Sequence, residues 1–495
     1  MSAPRDVSAP HVGVAESASA ADSASAVGSA STGVAGSTSA VGSASASASI
    51  GVSGAASASA GDLPDGAGAV GADAGVSVGA AKFTPYQRKL FWFLSVACFF
   101  EGYDFFALSQ LLPNLRAHFG LSPSEGGILV GATSAGTMLA FAIIGLADRW
   151  GRKRVLTLTI AGYTLFTLFS GLAPNAVAFG LFQLVARTFL IGEWATSMVI
   201  AAEEYPAQRR GLVIGVVSAA AALGSIVCAG VVPALLKTPL GWRSVYLVGV
   251  LPLVLVAFAR RSLRETTRFE ELSAERVRAR ARAAQAADEA GLMEVFRKGH
   301  TKRVLQMGAI WFFCYVCTQN AVMFWKEFAV GERALSDADV GKIVAISALG
   351  SLPLAFSSGY FLDKVGRRVG GTVILGILIL GVLLSYTAHS KLALTVGLLL
   401  ATVGLNTTLT LLNTLTTELF PTALRGGAFA WSNNLIGRVG YLLSPVAIGF
   451  LAEQMGWGAV VRSTAIFPVL ACLLIWVWLP ETRGRELEET AGRAA

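Results

Sequence analysis

Two carboxylates lie three residues apart inside a strongly apolar and aromatic stretch of the chain. Glu101 and Asp104 belong to the sequence CFFEGYDFFALS at residues 98–109. Positions i and i+3 share one face of a helix, so both acids can address the same interior space. A carboxylate held in an apolar cleft can take up and release a proton as its surroundings change. The pair therefore indicates proton transfer.

Further charges lie in the middle of other apolar stretches. Arg187 and Glu193 flank the midpoint of one stretch, and Arg438 lies near the middle of another. On insertion scales each such charge costs about 2.5–3.5 kcal/mol, and most are kept for function. No histidine lies mid-stretch, so we predict Asp104, Glu101 and Glu193 as the proton-coupling residues. A structural ion pair between Arg187 and an acid of the first stretch is the alternative.

The substrate prediction rests on Arg438, which follows Asn433 and Asn434. A guanidinium is a planar fork of donors suited to a carboxylate, so an anionic solute is favoured. An amide in a membrane helix can also serve only helix packing. The predicted substrate-binding residues are Arg438, Arg187, Gln319, Asn320, Asn433 and Asn434.

Apolar segments make up most of the 495 residues. Hydrophobic residues account for 54% and charged residues for 14%, against about 25% charged in soluble chains. Runs long enough to cross a bilayer predict an all-α membrane protein with twelve transmembrane helices. They lie near 90–112, 126–147, 154–173, 176–201, 211–236 and 242–260, then near 304–327, 340–362, 369–389, 392–419, 426–451 and 458–479.

The basic residues that give a net charge of +8 fall mainly in short loops between these runs. That is a topology signal rather than a nucleic-acid surface, and it predicts cytoplasmic N- and C-termini. The expected location is the plasma (inner) membrane, with lipid as a partner and no nucleic acid.

The chain is predicted to divide into five segments. They are a Ser/Ala/Gly-rich disordered tail (1–84), a six-helix bundle (85–260), a cytoplasmic linker (261–303), a second six-helix bundle (304–480) and a cytoplasmic tail (481–495).

Two loop sequences recur with one spacing of 215 residues. DRWGRKR at 148–154 matches DKVGRRV at 363–369, and EEYPAQRRG at 203–211 matches ELFPTALRG at 418–426. This duplication predicts two pseudo-symmetric six-helix bundles with a substrate path between them. The same shift relates Glu101 to Val316 and Asp104 to Gln319.

These motifs resemble the major facilitator superfamily of secondary transporters over roughly residues 85–490. DRWGRKR resembles its first-loop motif, although Ile144 replaces the glycine that the second copy keeps as Gly359. PETRGRELEE at 480–489 is similar to sugar porters, whereas LIGEWATSMVIAAEEYPAQRRG and SNNLIGRVGYLLSP are similar to organic-anion:proton symporters. The resemblance implies a gating role for Asp148, Arg149, Gly151, Arg152, Asp363, Gly366, Arg367, Glu203, Arg210, Glu418 and Arg425.

Together the residues predict a secondary active transporter that takes up a small organic acid with protons by alternating access. The sequence contains no phosphate-binding loop of the ATPase type. No catalytic group of residues, cofactor or metal site is expected. The protein is expected to function as a monomer. Cys314 and Cys317 in CYVC are interpreted as apolar fillers. Alternatives are a sugar or polyol:proton symporter, a drug or metabolite efflux antiporter, and a membrane sensor that does not transport.

Overall fold

The computed structural model describes residues 83–252, 294–297, 299–421 and 424–483. Most of the predicted N-terminal tail, the linker and the C-terminal tail therefore lies outside the described residues. The described part consists of helices joined by short turns. Its first helices are α1 (Pro85–Phe119), α2 (Pro123–Trp150), α3 (Arg152–Gly171), α4 (Ala176–Glu204), α5 (Ala207–Leu235) and α6 (Trp242–Val248).

The second half continues with a matching set of helices. They are α7 (Glu294–Arg297), α8 (Thr301–Met323), α9 (Trp325–Gly331), α10 (Asp337–Val365), α11 (Arg367–Thr387), α12 (Lys391–Glu418), α13 (Arg425–Phe429), a π-helix (Ala430–Gly437), α14 (Arg438–Ser463) and α15 (Ile466–Trp478). Helix α6 is the described part of the predicted segment 242–260.

Local sequence explains where the long helices begin. Thr84 and Ser122 form capping boxes with Gln87 and Glu125, each followed by proline at the first helical position. Such caps bond amide groups that have no partner within the helix. Ser336 caps α10 more simply, by accepting a hydrogen bond from the Asp339 backbone NH.

Seven helices in the described residues are long and apolar enough to cross a membrane. Counting α8 and α9, which are bent by 42° at their junction, as one span raises the number to eight. One of the seven, Gly427–Trp478, is 52 residues long. It is broken at Gly456, where φ is 78°. The sequence placed this break between residues 451 and 458.

The two halves meet through pairs of helices at equivalent positions. Helix α2 packs on α14, and α5 packs on α10. At the first crossing, a Cβ on Gly127 would lie 2.5 Å from the Pro445 carbonyl oxygen and 2.8 Å from Gly449 Cα. At the second, a Cβ on Gly341 would lie 2.6 Å from the Ala229 carbonyl oxygen. The two crossings lie near the starts of α2 and α10. We call this end of the protein the closed face. The opposite end, which bears the duplicated loops, is called the loop face.

The constant spacing of 215 residues does not hold at the start of the second helix pair, α2 and α10. The equivalent caps Ser122 and Ser336, and the equivalent crossing glycines Gly127 and Gly341, are separated by 336 − 122 = 341 − 127 = 214 residues. With this spacing Glu101 corresponds to Tyr315, rather than to Val316. Asp104 likewise corresponds to Thr318 rather than to Gln319.

Gly127→Val should destabilise the protein, because a larger side chain cannot fit against the backbone of α14. Overpacking of this kind costs about 1–3 kcal/mol, which a thermal unfolding assay of the purified protein would show as a lower apparent Tm. The matched control is Gly376→Val, since a Cβ at Gly376 meets nothing within 4 Å. Equal apparent Tm values for the two variants would contradict the tight crossing.

Candidate functional site

An acidic cluster lies between α1 and α4. One carboxylate oxygen each of Glu101 and Glu193 and the Cys98 sulfur all lie within 4.8 Å of one another. Both acids are buried. Glu193 accepts a hydrogen bond of 2.6 Å from the Ser197 hydroxyl, while Glu101 Oε2 and Glu193 Oε2 have no hydrogen-bond partner in the described structure. The structure thus brings together two of the predicted proton-coupling residues, Glu101 and Glu193, from two different helices.

Asp104, the third predicted acid, has a different set of neighbours. Its Oδ2 accepts a hydrogen bond of 3.2 Å from Thr167 on α3. Its Oδ1 has no partner in the described structure, and a Cβ placed on Gly249 would come within 2.4 Å of it. The absence of a side chain at position 249 leaves the space that this carboxylate occupies.

Arg187 is buried beside α1 without a carboxylate partner in the described part of the chain. Its Nη1 donates to the Phe105 carbonyl at 3.2 Å, and its guanidinium carbon lies 4.3 Å from the Phe105 ring centroid. The alternative that Arg187 forms a structural ion pair with Glu101 or Asp104 is therefore wrong for this conformation. The ring and the backbone carbonyl of Phe105 therefore stabilise the Arg187 cation, instead of a carboxylate.

Arg438 begins α14 directly after the π-helix and is also buried. In the described structure its Nε has no hydrogen-bond partner. Within the π-helix, Asn433 Oδ1 accepts a hydrogen bond of 2.8 Å from the Tyr315 hydroxyl, and Asn434 is buried beside it. Short π-helical segments often occur at functional sites.

A cavity of about 160 Å³ lies between the two halves. Gln319 is the predicted amide that lines it. Asn320 instead donates to the Val316 carbonyl at 2.6 Å and to the Ser444 hydroxyl at 2.7 Å, which is a packing role. The amide of Asn406, a polar residue of the second half, also lines the cavity. The wall further includes residues that sequence reasoning did not assign to the site, among them Phe105, Phe106, Gln110, Tyr315 and Tyr441. The corrected repeat, which pairs Glu101 with Tyr315, could have indicated one of them.

The loop face repeats one ion pair in both halves. Arg152 binds Glu203 at 3.0 Å, and Arg367 binds Glu418 at 2.6 Å. Arg367 also binds Asp363 at 2.9 Å. These arginines follow two glycines, at 151 and 366, with φ of 97° and 102°, a conformation that favours glycine.

The other predicted gating residues are only partly covered. Arg425 begins α13. The side chains of Asp148, Arg149 and Arg210 lie outside the described part of the structure.

The closed face carries a buried ionic network that sequence reasoning missed. Arg116 binds Glu327 at 2.7 Å. Lys326 binds Asp337 at 2.6 Å and donates to the Gln110 carbonyl at 2.6 Å. Lys326 lies near the end of the predicted apolar run 304–327, and it is only 2% exposed. Because Arg116 and Gln110 belong to α1, both contacts join the first half to the second.

The crossed helix pairs and the apolar spans around a central cavity define a multi-pass membrane protein of the transporter class. The sequence profile of the Major Facilitator Superfamily matches residues 94–445 and, in a second match, 320–494. The chain belongs to the Major Facilitator Superfamily. The predictions of this family, and of a transporter rather than an enzyme, are confirmed.

Named relatives and a solved structure agree with this assignment. The chain is 28% identical over 420 residues to the "Probable 4-methylmuconolactone transporter" of Cupriavidus pinatubonensis, covering 82% of this chain and 93% of the relative. It is 27% identical over 397 residues to the cis,cis-muconate transport protein of Acinetobacter baylyi, covering 76% and 91%. A crystal structure of a D-xylose-proton symporter shares the fold with a TM-score of 0.66 and 19% identity, covering 81% and 99%.

Glu481 fixes the start of the C-terminal segment to the loop face. Its carboxylate accepts hydrogen bonds from the backbone NH groups of Arg367 at 2.8 Å and Arg368 at 2.9 Å. Partial burial alone would raise the pKa of Glu481, but these backbone donors outweigh burial and hold the pKa below its ordinary value.

Anchoring by Glu481 should weaken in acid. Because the pKa is lower in the folded state, its contribution is present above the unfolded-state pKa, about 4.3. It is lost as the pH falls through the folded pKa. Glu481→Gln should expose the Arg367 and Arg368 amides at pH 7, measured by hydrogen exchange corrected for intrinsic rates. Glu332→Gln, at the closed face, is the control. Unchanged protection in Glu481→Gln would contradict the anchor.

Proposed function

We propose that the protein takes up a small organic acid together with protons by alternating access. The observation that carries this proposal is that buried acids and buried arginines occur in the two halves of the described structure without forming ion pairs with one another. Glu101, Glu193 and Asp104 form no ion pair in the described residues, and neither do Arg187 and Arg438. Buried charges are costly without partners, so protons and an anionic solute are the partners we assign.

The proton side rests on the Glu101–Glu193 pair. Two carboxylates this close repel when both are ionised, so the pair favours a state that holds a proton. Asp104 supplies a third site, because one of its oxygens remains free of hydrogen bonds in the described structure. We assign proton coupling to these three residues.

The substrate side rests on the cavity and the two arginines. A cavity of about 150 Å³ can hold benzene, so the present volume of about 160 Å³ suits a compact six-carbon acid. Phe105 and Tyr441 give it flat apolar walls, and Gln319 provides an amide. The two relatives named above are a probable 4-methylmuconolactone transporter and a cis,cis-muconate transport protein. We assign carboxylate binding to Arg438, Arg187, Asn433 and Asn434. None of the four lines the cavity itself, but Arg187 stacks on Phe105 of its wall. Asn320 is left as a packing residue.

Alternating access is supported by a difference between the two ends of the interface between the halves. The closed face is sealed by glycine crossings and by Arg116–Glu327, so we interpret this conformation as facing the loop side. The duplicated ion pairs of the loop face are the proposed gate there. We retain the prediction of twelve helices in two six-helix bundles, with the loop face and both termini cytoplasmic, in the plasma (inner) membrane of the cell and active as a monomer.

A sugar:proton symporter is the second candidate. The fold shared with a D-xylose-proton symporter and the polar amides of the cavity favour it. A neutral sugar, however, would leave Arg187 and Arg438 without a counter-anion. The organic acid is therefore the preferred substrate class.

Glu193→Gln and Asp104→Asn should abolish uphill accumulation driven by a pH gradient, because each removes a group that can carry the proton. Counterflow of the solute, which needs no net proton movement, should persist. The measurement is uptake of radiolabelled cis,cis-muconate into proteoliposomes, with the exposed cap variant Glu125→Gln as control. Normal pH-driven accumulation by both variants would overturn the proton assignment.

Arg438→Lys should weaken binding of an organic acid roughly tenfold, and Arg438→Gln more, because a single ammonium cannot reproduce a two-pronged contact. Binding of muconate to purified protein can be followed by a thermal-shift titration. Arg462→Gln, at the far end of α14, is the matched control. Full retention of binding in a well-folded Arg438→Gln protein would contradict an anion site at this position.

A further inference from the structure

A second cavity, of about 690 Å³, lies on the seam at the closed face. We call it the vestibule; the ends of α1 and α5, the start of α6 and the start of α10 surround it. Its polar lining includes Asn114, His118, Lys237, Trp242 and Asp337. It is separate from the central cavity, because the residues that line the two do not overlap.

Two residues of the vestibule wall hold the buried ammonium of Lys326. Asn114 accepts a hydrogen bond of 3.2 Å from Lys326, and Asp337 forms the ion pair of 2.6 Å. On its other side Lys326 donates to the backbone carbonyl of Gln110, whose residue lines the central cavity. Lys326 therefore lies between the two cavities.

The two members of the Lys326–Asp337 ion pair differ in how far they are exposed to solvent. The side chain of Lys326 is 2% exposed, whereas that of Asp337 is 37% exposed. A buried ammonium requires a nearby anion, but a carboxylate that already reaches water can leave at little cost. A carboxylate from solution could therefore replace Asp337. Glu327, the neighbouring acid, is already bound to Arg116.

Other groups around the vestibule also suit an anion. Lys237 places an ammonium group in the lining itself, whereas Lys326 lies behind it, bound to Asn114 and Asp337 of the wall. Arg243 Nη1 lies 3.3 Å from His118 Nε2, and its guanidinium stacks on the Trp242 ring at 4.5 Å. The indole NH of Trp242 is buried and has no hydrogen-bond partner in the described structure. A donor without an acceptor is a second, independent indication of a missing ligand.

We propose that the vestibule is a binding site for a carboxylate, which pairs with Lys326 in place of Asp337. Since Lys326 also ties α9 to α1, the incoming anion occupies the contact that must break for this face to open. The site would thus receive the organic acid before it reaches the central cavity. This step rests on the proposed function, whereas carboxylate binding in the vestibule does not.

The test is protection of a thiol introduced at the vestibule wall. Ala338→Cys, in protein reconstituted in nanodiscs, is labelled with a hydrophilic maleimide in the presence of increasing cis,cis-muconate. We expect muconate to slow labelling at this position. Asp337→Asn, which removes the competing carboxylate, should lower the half-protecting concentration roughly tenfold, and Lys326→Gln should abolish protection.

Two controls make the result specific. Asp339→Asn changes an acid two positions along that pairs with Lys391 at 2.8 Å, so it should leave protection unchanged. A thiol introduced by His389→Cys, on an exposed loop of the same face, should not be protected. Three outcomes would overturn the proposal. They are no protection of the thiol at position 338 by muconate, equal protection of the thiol at position 389, and weaker protection in the Asp337→Asn variant.

Uptake measured with the same variants separates this site from the transport function. Protection at position 338 without any pH-driven uptake would uphold the vestibule and contradict the proposed function. Uptake without protection would contradict the vestibule alone.

Discussion

The structure depends on the high free energy of a charged group in a hydrocarbon interior. Each such group needs a partner, which the protein itself or a bound solute can supply. At the two faces the protein supplies it, as in Arg367–Glu418 and Arg116–Glu327. In the centre it does not, because Glu193 and Arg438 have no ion-pair partner among the described residues. The charges of the two faces are therefore neutralised within the protein, whereas under the proposed function protons and an organic anion neutralise those of the centre.

Close packing at the closed face follows from the same requirement. A buried ion pair needs good geometry, and the close approach of α2 to α14 at Gly127 and Gly449 lies at the same face as the Arg116–Glu327 pair. Opening this face has to separate both the backbones and the charges. The gate is thus an all-or-none element, which an alternating-access transporter requires in order to avoid a continuous pore.

Much of this organisation was readable from the sequence. Charges inside apolar stretches singled out Glu101, Asp104 and Glu193, which are buried. A fixed loop spacing predicted that Arg152 and Arg367 would be equivalent, and each binds a glutamate. Periodicity could not predict which side of a helix faces the cavity when most positions are apolar. Tyr315 was therefore missed. Lys326 was missed for another reason: it lies near the end of a span, where a charge resembles a topology signal until the bend between α8 and α9 turns it inward.

The central claim is that one protein binds a proton and an organic anion at groups that do not neutralise each other. The most direct measurement is lumenal pH in proteoliposomes that contain a trapped pH dye and face an inward gradient of cis,cis-muconate without an initial pH gradient. The account predicts acidification of the lumen as muconate enters, absent from protein-free liposomes and from liposomes containing Glu101→Gln/Glu193→Gln protein. Muconate entry with no change in lumenal pH would contradict it.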